Sequence, residues 1–107
     1  MTSRDLIRDL LQAKLELRDN QALEQFWFID DARVFATLGT KDGPVCGPVL
    51  NYTVAEDDSL RIGNSNETIS FKWEDLKVSG DELIVLCNGE LKTFRITRAP
   101  KKERWLP

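Results

Sequence analysis

From position 30 onward the chain is cut at short intervals by turn-forming runs. They are Asp30-Asp31, Lys41-Asp42-Gly43-Pro44, Glu56-Asp57-Asp58-Ser59, Ser79-Gly80-Asp81 and Asn88-Gly89, with a softer break at Asn64-Ser65-Asn66-Glu67. Asp-Gly and Asn-Gly tolerate positive φ and are favoured centres of tight primed hairpin turns. Connections this short join only antiparallel neighbours, because a parallel crossover takes a dozen residues or more. The sheet is therefore expected to be an antiparallel meander.

Between the turns lie short runs of period two. Val34-Ala36-Leu38, Leu50-Tyr52-Val54 and Ile69-Phe71-Trp73 alternate with polar residues, and Leu60-Ile62 and Phe94-Ile96 complete the set. Phe26-Trp27-Phe28-Ile29 and Leu83-Ile84-Val85-Leu86-Cys87 are apolar on both faces and need cover on both. The concave side of a curled sheet supplies one cover. The other has to come from the N-terminus.

There, Thr2-Ser3-Arg4-Asp5 has the form of a capping box, and Leu6, Ile7, Leu10, Leu11 and Leu15 keep the 3/4 spacing of one helical face. The spacing predicts an amphipathic helix of about 16 residues, which lies across the outside of the strands or plugs an end of the barrel. Burying its leucines would contribute about 6–12 kcal/mol gross. At 107 residues there is room for one domain. The expected organisation is a helix over residues 1–20, a six- to seven-stranded meander over 24–98 and a basic tail over 99–107. The fold class is α+β, an N-terminal helix followed by a curled sheet or small barrel. A pleckstrin-like roll and a cystatin-like sheet are the alternatives.

Charge and composition narrow the function. Fifteen basic against eighteen acidic residues give a net charge of −3, which disfavours nucleic acid and anionic membrane as partners. No apolar run approaches the roughly 20 residues of a membrane helix. No secretory signal opens the sequence, so a cytoplasmic address with two free thiols is expected. There is no histidine. That excludes histidine-dependent nucleophile systems and histidine metal sites.

From about residue 26 to 98 the chain resembles the small bacterial lipocalin-like domains. The matching residues are Phe26-Trp27-Phe28, Asp30-Asp31, Tyr52-Thr53-Val54, Asp57-Asp58, Leu60-Arg61-Ile62, Trp73-Glu74-Asp75-Leu76, Gly80-Asp81-Glu82-Leu83, Asn88-Gly89 and Thr93-Phe94-Arg95 with Arg98. The resemblance implies a barrel with a small apolar ligand at its mouth, and Arg95 or Arg98 stacked on Trp27.

The candidate chemistry is thin. The carboxylate pairs all sit at turns, where they bond their own backbone. Cys46 has no adjacent base to activate it, and Cys87 has the surroundings of a core residue. The scattered glycines open no helix, which removes the nucleotide-binding loop. No catalytic residue, metal ligand or cofactor is assigned. Trp27, Tyr52, Phe71 and Trp73 are expected to share the concave face, where with Arg95 they either line a cavity for a small apolar molecule or fill it. Lys101, Lys102, Arg104 and Trp105 form a second candidate, a tail that anchors a protein partner or folds back over the barrel mouth. The expected function is a non-enzymatic binding module for a small apolar ligand. The alternative is an interaction or assembly protein, a homodimer included, that uses an edge strand or the Trp105 tail.

Overall fold

A computed structural model describes residues 2–19, 21–66 and 68–98. Among the described residues one short helix, α1 (Ser3–Asp9), precedes nine strands: β1 (Ala13–Leu17), β2 (Ala22–Phe28), β3 (Arg33–Thr40), β4 (Val45–Cys46), β5 (Val49–Val54), β6 (Leu60–Gly63), β7 (Ser70–Ser79), β8 (Glu82–Cys87) and β9 (Glu90–Arg98). Every pairing is antiparallel. Chain neighbours lie side by side except β4 and β5, which both pair with β3, and β1 pairs with both β2 and β9. Eight strands thus close into an up-and-down barrel, with β4 paired to the far end of β3. Closure agrees with the barrel that the lipocalin-like resemblance implied. Among the described residues the chain is mostly strand, so α+β overstates its helix content.

The N-terminus corrects the sequence reading. The expected helix over 1–20 stops at Asp9, and residues 13–17 form the strand that closes the barrel. Its start is as expected: the Asp5 N–H donates to Thr2 Oγ1 at 3.2 Å, and the Thr2 N–H donates to the Asp5 carboxylate at 3.4 Å. The stop is at Gln12. Its backbone adopts a φ of +67°, its N–H donates to the Phe28 carbonyl at 3.0 Å, and its Nε2 donates to the Ile29 carbonyl at 3.2 Å. Beyond it Ala13, Leu15 and Leu17 alternate with Lys14 and Glu16, a period-two pattern that also satisfied part of the helical stripe. Two ladders outweigh two more helical turns.

Helix α1 plugs one end of the barrel, and Leu6, Ile7 and Leu10 enter the core. Ser3 fastens it to the β5–β6 turn: its N–H donates to the Asp58 carboxylate at 3.0 Å and its hydroxyl to the Asp58 carbonyl at 2.6 Å. Arg98 closes the other side, donating to the Asp9 carbonyl at 2.9 Å. The turn signals fall where expected. At Asn88-Gly89 both residues have positive φ, +51° and +84°, as a primed hairpin requires. Strand β7 runs past its expected end through a bulge between Glu74 and Lys77, where Asp75 takes φ +54°. Among the described residues no helix is long and apolar enough to cross a membrane.

Candidate functional site

The barrel interior is filled by its own rings. Trp73 is fully buried, with centroids 5.0 Å from Phe26, 5.1 Å from Phe94 and 6.1 Å from Phe28. Phe71 meets Phe26 edge-on at 5.6 Å, and Tyr52 meets Phe28 edge-on at 4.9 Å. These six rings form one connected cluster, each edge contact adding about 0.5–1.5 kcal/mol beyond its buried area. The Tyr52 hydroxyl donates to the Asp30 carbonyl. Burial first, then the Asp31 and Asp30 charges, push its pKa up to about 12.

Of the five residues expected to line a cavity, Tyr52, Phe71 and Trp73 therefore share the interior, as filling rather than lining. Trp27 and Arg95 do not. In β2 the inward residues are Phe26 and Phe28, which turns Trp27 to the outer wall beside Phe35, 5.9 Å between centroids. Arg95 is likewise exposed on the outer face of β9, opposite Glu16 of β1 and Glu82 of β8. Alternation dictates both placements: Phe94 and Ile96 point in, so Arg95 points out. Lys101, Lys102, Arg104 and Trp105 lie outside the described residues.

The open end of the barrel carries a pair that the sequence reading missed. Lys92 Nζ lies 2.8 and 3.1 Å from the two Glu24 carboxylate oxygens, and both side chains are largely shielded, 17% and 16% exposed. Burial opposes the ammonium, but the hydrogen bond and charge of Glu24 outweigh it, and the Lys92 pKa is raised. Near it, burial raises the Cys87 thiol. The signal was present in register: Glu24-Phe26-Phe28 and Lys92-Phe94-Ile96 are inner-face triplets whose first member is charged.

The outer wall supplies the apolar surface that is left. Registers place Lys14, Trp27, Phe35 and Val49 side by side across β1, β2, β3 and β5. A groove of about 230 Å³ follows this row between Lys14, Gln25, Trp27, Phe35 and Thr37. At its end Val49 and Val45 stand about half exposed, at 51% and 53%. A wider groove of about 800 Å³ holds Arg95 with Glu16, Arg18, Lys41 and Asp81, charges of both signs.

The turn carboxylates hold the fold. Asp30 accepts the Ala32 and Arg33 N–H groups, each at 2.9 Å, and grips the Arg33 guanidinium; these bonds lower its pKa. Asp57 accepts from the Ser59 hydroxyl and N–H, and Asp19 from the Ala22 and Gln21 N–H groups, each carboxyl being lowered in turn. Among the described residues no group of three His, Cys, Asp or Glu is placed to hold a metal ion. No protein-family model, curated protein or solved structure matches the chain.

Proposed function

We propose that the chain is a non-enzymatic interaction module, a small lipocalin-like barrel that binds protein on its outer surface instead of a ligand in its interior. The observation that carries this is the ring cluster around Trp73. A barrel of eight strands is just wide enough for side chains to fill, and here six rings occupy the space an apolar ligand would need. The mouth above them is spanned by the Lys92–Glu24 pair, which an entering apolar molecule would have to break. Turn carboxylates engaged on their own backbone and a buried Cys87 support the non-enzymatic part of the reading. Two free cysteines suit a reducing, cytoplasmic setting.

Thermal melts with fatty acids and apolar dyes test the interior. The expected result is an unmoved midpoint, because a ligand stabilises only by binding the native state. Phe94→Ala opens space beside Trp73, costs about 3–5 kcal/mol and lets such a probe raise the midpoint. A saturable rise in the unaltered chain, with a change in Trp73 emission, would restore the small-ligand reading.

A further inference from the structure

We propose that the edge formed by β4 and the start of β5 pairs with the same edge of a second copy, antiparallel and with Gly47 on the two-fold axis. This deepens the interaction-module reading and rests on it. Three observations on one stretch carry the assignment.

The first is the open edge itself. Strands β4 and β5 continue one line against β3, with register Gly39↔Val45 and Leu38↔Cys46 followed by Phe35↔Val49 and Val34↔Leu50. On the other side, β6 reaches only as far as Asn51, opposite Gly63. Positions 45–49 thus have no neighbouring strand there among the described residues.

The second is the direction of the backbone. The Ala36 N–H donates to the Pro48 carbonyl at 3.0 Å, and the Tyr52 N–H to the Ala32 carbonyl at 2.9 Å. Even-numbered residues of this line therefore point their backbone groups at β3. Val45, Gly47 and Val49 point theirs away, as the alternation of an antiparallel ladder requires. The N–H that Pro48 lacks belongs to the β3 side, so this proline, unlike one that guards an edge, leaves every outward donor in place.

The third is what the edge offers a copy of itself. Under a two-fold through Gly47, Val45 faces Val49 of the second copy and Gly47 faces Gly47. Each opposed pair exchanges two backbone bonds, and half-exposed valines meet each other. Symmetry sets any charge near the axis against its own sign, and positions 43–51 carry none in a chain that is 31% charged. Lysine is the usual defence of an exposed edge, and it is missing here. Beyond the valines the apolar row continues inward through Phe35 on both copies. A five-residue pairing is small against the roughly 1,200–2,000 Å² of a stable interface, so the dimer is expected to form and dissociate with concentration.

Light scattering on the full chain from micromolar to millimolar concentration is the first measurement, with Val49→Lys beside it. The mass is expected to climb from one chain toward two, and the lysine variant to remain at one. Geometry is read by Cys46→Ser/Gly47→Cys. A Cβ at position 47 comes no nearer than 3.8 Å to its closest neighbour, Ala36 O, so the added side chain starts without a clash. Directly opposed, bonded residues sit about 5.5 Å apart between Cα atoms, within disulfide reach. Mild oxidation should link G47C at least tenfold faster than Leu91→Cys in the same Cys46→Ser background, although Leu91 is 70% exposed. A single-chain mass at every concentration, a dimer that V49K leaves intact, or equal linking rates would overturn the pairing. A monomer whose melts ignore apolar probes would overturn the pairing and leave the interaction reading standing. A barrel stabilised by those probes would overturn that reading itself.

Discussion

Single residues show most plainly what alternation decides. Trp27 and Trp73 are both tryptophans within strands, yet one stands on the outer wall and the other at the centre of the core. The difference is parity within a strand, and a run apolar on both faces, as at residues 26–29, conceals it. Where polar residues alternate cleanly, as around Phe71 and Trp73, the inward face was legible. Tyr52 carries a testable consequence of its placement. It is the only tyrosine, so phenolate absorbance reports it alone. Its titration midpoint is expected near 12 in the native chain and near the ordinary value of about 10 in denaturant. Because the folded value is raised, the stability linked to it is complete below the unfolded pKa and is lost as pH climbs toward the folded one. A native midpoint near 10 would mean that the ring and its bond to Asp30 are open to water.

At the scale of elements, turns were more legible than the segments between them. Asn-Gly and the acidic runs act through local chemistry that neighbours hardly alter: Asp30, Asp57 and Asp19 each bond N–H groups two or three residues away. The N-terminus was harder to read because its leucines fit two periods at once. Leu6, Ile7 and Leu10 follow the helical one and Ala13, Leu15 and Leu17 the strand one, and pairing with β9, about eighty residues on, decides between them. No local window contains that partner. The plug formed by α1 is integral to the barrel, since Ile7 is buried at 1% exposure. Ile7→Ala should therefore lower unfolding free energy by about 2–5 kcal/mol in a urea titration. A loss below about 1 kcal/mol would show that the helix merely rests on the barrel end.

Taken as a whole, the molecule is a barrel whose closure and filling have one cause. With eight strands, the inner faces of β2, β5, β7 and β9 bring Phe26, Phe28, Tyr52, Phe71, Trp73 and Phe94 into mutual contact. The sequence suggested six or seven strands, as a curled sheet or a small barrel; without β1, strands β2 and β9 would lack the neighbour that joins them. The eighth strand supplies it. It removes both edges, confines ring against ring and leaves β4 with β5 as the unguarded line. The binding residues were accordingly the least legible part, because whether an aromatic lines or fills a barrel depends on how many strands enclose it. Nuclear Overhauser contacts from Leu15 examine closure at its source. Leu15 should show cross-strand contacts to both Phe26 and Ile96. Helical contacts running unbroken from residue 9 through residue 17, with neither strand partner in reach, would contradict the closed barrel.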